Sequence, residues 1–336
     1  MGRVRRVLLR QVLPLLAVYL VMLGLIQAGV ITDYIQATIA TICINIILAV
    51  GLNLITGFTG QFSLGHAGFM AIGAYTTALV TTAMDNVGGF VLGLLAGALL
   101  AALVGLLVGL PTLRLRGDYL AIATLGMAEI IRIILLNLPF TNGAAGLSGL
   151  TRYVNWSWLF FWTVAAVWVI GNFLHSRHGR QAIAVREDEI AAQSIGVDTT
   201  AAKTLSFVVG AFFGGVAGGL YASYFYFIKP DLFNFMKSVN ILVIVVLGGL
   251  GSLSGSVIAA IVLALVSMFL QDFPAIQMIL YSLVLILLML FRPQGLLGNR
   301  ELSQAMVTRL FRRPSRGSTP NHTPGQDQPA GEEAVR

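Results

Sequence analysis

The sequence predicts an all-α fold, a polytopic bundle of membrane-crossing helices. Three observations predict it. Hydrophobic residues make up 57% of the chain and charged residues 10%, whereas soluble domains run at roughly half apolar and a quarter charged. The charges are confined to a few short stretches. Between them lie apolar runs of the length, about 20 residues, that a helix needs to cross the hydrocarbon core. A helix satisfies its own backbone hydrogen bonds in lipid. A β-barrel is excluded, because its strands would alternate polar and apolar residues and these runs are apolar on all sides.

In chain order, the first span is expected from about Val12 to Ile31, behind a basic RVRR start. This stretch is long for a signal peptide and lacks a small-residue cleavage site, so it is read as an uncleaved span. Further spans follow at about Ile35–Ile55, Phe62–Met84, Phe90–Leu113, Tyr119–Leu138, Trp156–Leu174 and Thr204–Ile228. A Gly-rich polar loop, Pro139–Asn155, and a charged loop, His175–Lys203, separate the later ones.

The positive-inside rule tests this count. Arg3, Arg5, Arg6 and Arg10 put the N-terminus in the cytoplasm, and alternation then puts Arg114, Arg116, Arg177, Arg180 and Arg186 on the same side. Asp33, Asp85 and the 139–155 loop fall outside, with Arg152 the lone basic residue of the early outer loops. A last span at about Pro274–Phe291 and a basic tail from Arg292 require Val239–Gln271 to leave and return to the same side. That segment is split by GGLGSLSG, Gly248 to Gly255, and is read as a re-entrant or hairpin helix pair turning at Gly248, Gly249, Gly251 and Gly255. The total is about eight full spans plus this pair, in a permease-like domain 1–298. The Ser-, Pro- and Gly-rich segment 299–336 reads as a disordered cytoplasmic tail.

The net charge of +7 would suggest nucleic acid in a soluble protein. Here it reflects basic cytoplasmic loops, and no nucleic-acid partner is expected. Cys43 stands alone inside an apolar run, so neither an intrachain disulfide nor a cysteine metal site is expected. Four histidines, three of them outside the spans, form no ligand cluster, and no cofactor is expected. The only lysines are Lys203, Lys229 and Lys237. No phosphate-cradling GxxxxGK[ST] motif exists, nor a nucleophile elbow or HExxH site. The chain is not expected to be an enzyme.

Three features remain. Gly89, Gly93, Gly97, Gly105 and Gly109, with Ala101, and also Gly210, Gly214 and Gly218, fall at four-residue steps. Such ridges let helices pack closely. Asn53, Gln61, Ser63, His66, Glu129 and Arg132 are polar groups in spans, and ionisable groups at that depth face the bundle interior or a watery path. A path role competes with simple packing, and Glu129 and Arg132, three apart, can neutralise each other. Within the 175–203 loop, Ala182–Ser194 reads as a helix capped at Gly196. Its charges at Arg186–Glu189 and its small pair Ala191 and Ala192 suit docking into a groove of another protein, though from these residues alone an ordinary polar connector is the favoured reading.

The stretch GLNLITGFTGQFSLGHAGFMAIGAY resembles the signature of branched-chain amino-acid ABC permeases. RLRGDYLAIATLGMAEIIR with its GLSGL loop, VREDEIAAQSIGV, SVNILVIVVLGGLGSLSG and LFRPQGLLG resemble the LivM-type subunit. The resemblance covers about Asn45 to Gly298. It implies a subunit of an importer in a bacterial cytoplasmic (inner) membrane, with both termini cytoplasmic. The implied partners are two ATPase subunits, a second related permease, an extracytoplasmic binding protein and membrane lipid. It also implies that Arg186, Glu187, Glu189, Ala191, Ala192 and Gly196 form the ATPase-coupling helix, which accounts for the missing nucleotide motif. Within the class, urea or short amides compete as substrates. From another class, a stand-alone transporter would use Glu129, Arg132 and His66 as a proton relay.

Overall fold

The computed structural model describes residues 2–113, 115, 117–270 and positions 279, 283, 286, 290 and 295, with the backbone alone for 2–12 and 270. Arg114, Arg116, nearly all of the expected last span and the 299–336 tail lie outside the described residues.

The chain forms α1 (Gly2–Gln27), α2 (Asp33–Asn53), α3 (His66–Ala83), α4 (Val87–Thr112), α5 (Asp118–Asn137), α6 (Trp156–His175), α7 (Arg177–Glu187), α8 (Glu189–Ser194), α9 (Thr199–Phe225), α10 (Phe235–Gly248) and α11 (Leu253–Leu270). Among the described residues six helices, α10 counted with the turn before it, are long and apolar enough to cross a membrane; Leu13–Gln27 and Leu253–Phe269 are shorter apolar helices. The all-α architecture is therefore observed, with six described helices of membrane-crossing length and apolarity.

Two expected boundaries move. The third span begins at His66 and not at Phe62, because Thr59–Gly65 is irregular backbone. The seventh begins at Thr199, where the Asp198 carboxylate accepts the Ala201 N–H at 2.9 Å and so caps an extra turn.

The core is built by small residues. On α4 the buried face is Gly93, Leu94, Gly97, Ala98, Ala101, Gly105 and Val108. The opposite face exposes Leu92, Leu99, Leu103 and Leu107. Small residues inward and leucines outward reverse the pattern of a soluble protein. This is the packing expected where lipid removes the hydrophobic drive between helices and close backbone contact remains. A β-carbon on Gly73 would strike the Gly215 carbonyl, and one on Gly215 would lie 2.8 Å from the Ala101 β-carbon. The glycine ridges thus bring α3, α4 and α9 together around a centre that holds Phe69 and Phe207 edge to face.

Helices α10 and α11 form a hairpin packed on α2. Its turn needs glycine: Gly249 and Gly251 have φ of +112° and +85°, a region side chains avoid. Gly248 and Gly255 stand back to back, so a β-carbon on Gly255 would strike the Gly248 carbonyl. The hairpin matches the expected pair. Its turn shares a cavity wall with Leu174, His175 and Arg186, beside α7.

At the other end of the bundle the 139–155 loop is folded, not loose. Leu147–Ser148 (β1) pairs antiparallel with Phe227–Ile228 (β2), Leu147 opposite Ile228. Arg152 lies over the Tyr224 ring at 4.4 Å, which gives the isolated outer arginine an aromatic partner. Asp85 accepts from the Tyr153 hydroxyl at 2.7 Å and from Thr151 at 2.9 Å. These bonds hold its carboxyl below the ordinary range and push the Tyr153 phenol up.

Candidate functional site

The signature stretch interrupts α2 with one π-helical turn, Leu54–Phe58, a feature that often marks functional positions. Asn53 ends the regular helix and is fully buried. Its Nδ2 donates to the Ser252 carbonyl at 2.9 Å and to Ser256 Oγ at 2.8 Å, and its Oδ1 accepts from Gly251 N at 2.9 Å. One side chain thereby clamps the turn of the α10–α11 hairpin. Its polar capacity is spent there, so the expected path residue is a fastener in this packing. Gly57 leaves room for the clamp; a β-carbon there would overlap Asn53 Oδ1 and Gly251 N.

The π turn has a second partner. Arg186 Nη1 donates to the Gly57 carbonyl at 2.7 Å, and the Arg186 stem packs over Gly60, φ +73°. The sequence reading had Arg186 as part of an exposed docking helix. The structure turns it inward, onto the bundle.

The 175–203 loop is an elbow of two helices, which corrects the single helix expected over Ala182–Ser194. Asp188 is extended (φ −156°, ψ 112°), and its carboxylate accepts from Ile190 N and Ala191 N at 2.9 and 3.0 Å. That side chain caps α8 better than it would continue α7. Gly196, φ +84°, closes α8: Val197 N donates to the Ala192 carbonyl, and Gly196 N to that of Gln193, both at 3.0 Å. Ala192 faces inward onto Val185 and Ala202. Glu189 is held by Lys203 at 2.6 Å. Glu187 and Ala191 remain outward. The most exposed apolar groups of the elbow are Ile190 and Ile195, at 71% and 77%. Sequence reasoning missed them, although two isoleucines in a polar loop were the signal.

Gln61 and Ser63 lie on the irregular climb into α3, and His66 opens that helix. The segment's backbone is partly satisfied by side chains, with Thr124 Oγ1 accepting Leu64 N at 3.1 Å. Irregular backbone is tolerated at depth only where protein or water surrounds it. Gln61 and His66 are 3% and 1% exposed, and neither the amide nor the imidazole nitrogens have a hydrogen-bond partner among the described residues. The His66 ring sits between Gly51 of α2 and Gly214 of α9.

Glu129 is elsewhere. It pairs with Arg132 at 2.7 Å, and Arg132 reaches on to Asp231 at 3.2 Å. Asp231 lies in the turn before α10 and was not singled out from the sequence. No described contact joins this network to Gln61 or His66.

The comparisons with known proteins bear on this geometry. The family model for the branched-chain amino acid transport system / permease component matches residues 34–291. That interval runs from α2 beyond the hairpin and contains the π turn, the elbow and the glycine ridges. The chain belongs to this family. The permease protein LivM of a high-affinity branched-chain amino acid transport system in Salmonella typhimurium is 39% identical to this permease component over 76% of its chain and 68% of the relative. The LivM protein of Escherichia coli K12 is 36% identical over the same shares. LivH of Salmonella typhimurium is 24% identical over 77% of this permease component and 92% of its own length. No solved structure matches. The matched interval leaves out α1, which leans on α6 through a Tyr19–Ser157 hydroxyl contact of 2.9 Å.

Proposed function

We propose that this permease component is one of two related membrane subunits of an ATP-driven importer in a bacterial inner membrane, carrying leucine, isoleucine and valine handed over by an extracytoplasmic binding protein. Both termini and the 299–336 tail are cytoplasmic, and the chain crosses about eight times with the hairpin in addition. Two ATPase subunits dock on the α7–α8 elbow.

One observation carries the reading: the elbow ends in exposed Ile190 and Ile195 and is fastened through Arg186 to the π turn of the signature stretch. An apolar tip suits a partner groove, and the arginine gives it a rigid connection into the bundle. The relatives' names support the substrate class. Gln61 and His66, unpaired in this packing, support a second packing in which water reaches them. Those two residues, with Ser63, are the assigned inner path. The Glu129–Arg132–Asp231 network is assigned to structure, since both carboxylates share the one guanidinium of Arg132; this weighs against a stand-alone proton-coupled transporter. Urea and short amides remain the rivals within the class.

The test is purification and uptake. Co-isolation with two ATPases and a second permease, and L-leucine uptake that needs ATP and the binding protein, support the proposal. Uptake by this chain alone in liposomes contradicts it.

A further inference from the structure

A cavity of about 350 Å³ opens between α2, α10 and α11, and its lining does not include Gln61, Ser63 or His66. Its α2 wall is Tyr34, Thr38, Thr41 and Asn45, spaced by four, three and four residues and so on one helical face. At ~1.5 Å per residue this wall runs roughly 16 Å from the Asp33 end of α2. Lys237 and Asn240 of α10 complete its polar lining, with Ile241, Ile244 and Leu263 as the apolar part. Lys237 makes no side-chain hydrogen bond or ion pair among the described residues. Asn45 and Asn240 are polar groups within apolar helices, and such groups face a watery path or a partner.

We infer that this cavity is a substrate subsite, in which Lys237 binds the carboxylate of a zwitterionic amino acid. The inference rests on the substrate reading above. The ligand's ammonium meets the side-chain oxygens of Asn45, Asn240 and Thr41. Its branched aliphatic chain lies against Ile241, Ile244 and Leu263, where apolar area leaves water. Charge and shape are complementary: one cation for one carboxylate, neutral oxygens for the ammonium, an aliphatic wall for the side chain. A ligand with a carboxylate but no aliphatic chain uses only half of the site, and an aliphatic amine lacks the ion partner.

The position also links the site to the elbow. Lys237 stands near one end of α10, and Gly248 ends the same helix at the turn that Asn53 clamps. A displacement of the clamp is carried along α10 to the lysine.

The experiment uses the complete complex with its binding protein, reconstituted in liposomes. Lys237→Gln lowers L-leucine uptake by about tenfold or more, the loss of one good charge contact. Complex yield stays near wild type, and Lys237→Arg retains a substantial part of the uptake. In detergent without binding protein, the wild-type complex retains radiolabelled L-leucine that L-valine displaces and 3-methylbutylamine, which lacks the carboxylate, does not. Wild-type uptake by Lys237→Gln overturns the inference. So does loss of the second permease from the Lys237→Gln complex, which makes the lysine a subunit contact, and so does displacement by the amine. A wild-type complex that carries no branched-chain amino acid overturns the substrate reading and this inference with it.

Discussion

Asn53 shows how much one buried amide can organise. It makes three hydrogen bonds to groups about 200 residues away in sequence, on the turn between α10 and α11. Asn53→Ala strands the Gly251 N–H, while the Ser256 hydroxyl keeps its bond to the Ser252 carbonyl. At about 1–3 kcal/mol for a stranded group, the expected loss is on the order of 2 kcal/mol. A lower thermal midpoint of the detergent-purified protein checks it; an unchanged midpoint means the clamp is dispensable. Asn53→Asp fares no better, since a carboxylate cannot donate to Ser252 and Ser256. At the opposite end, Asp85 carries the pH dependence. Its carboxyl is held below the ordinary value of 3.8 by Tyr153 and Thr151. Its contribution is therefore complete above that value and is lost only as pH falls through the lower folded value. Hydrogen exchange in the 147–153 loop should stay slow at neutral pH and rise only in stronger acid, and Tyr153→Phe should move that rise to higher pH. A rise at the same pH in both proteins would remove Tyr153 from the account.

The element proposed to couple is the elbow, and its two helices face different ways. Helix α7 sends Arg186 inward, and α8 presents Ile190 and Ile195 outward. Ile190→Asp and Ile195→Asp should abolish co-purification of the ATPases while leaving the permease's thermal midpoint unchanged, because both side chains are exposed; retained ATPases would move the docking surface elsewhere. Most of this element was legible before any coordinates. Helical character, the Gly196 cap and the small residues at 191 and 192 all follow from local chemistry. The break at Asp188 was not, because a capping carboxylate and a helix-interior one look alike until the chain direction changes. The inward turn of Arg186 was illegible for a different reason: its partner is a carbonyl 129 residues away, and a backbone oxygen carries no signature. The same holds for Asn53, Asp231 and Lys237, whose significance depends on which distant element stands opposite. The spans, by contrast, declare themselves residue by residue, through length and apolarity.

For the whole molecule, the glycine ridges set how the bundle can rearrange. Helices α3, α4 and α9 meet through backbone, so they can exchange one close packing for another without side chains to disengage. Any larger side chain at Gly73 collides with the Gly215 carbonyl, and Gly73→Val is expected to prevent assembly of a folded complex, read as loss of monodisperse protein in detergent; a well-folded variant would argue against this tight contact. The central claim is that elbow, π turn and hairpin form one connected linkage. The most direct test is the ratio of L-leucine transported to ATP hydrolysed in proteoliposomes bearing the complete complex with Arg186→Gln. Removing the arginine strands the buried Gly57 carbonyl while leaving α8 and its isoleucines in place. The linkage predicts that stimulated ATP hydrolysis persists while transport falls by about tenfold or more, the equivalent of one hydrogen bond to a charged group. A transport-to-hydrolysis ratio equal to wild type would contradict it.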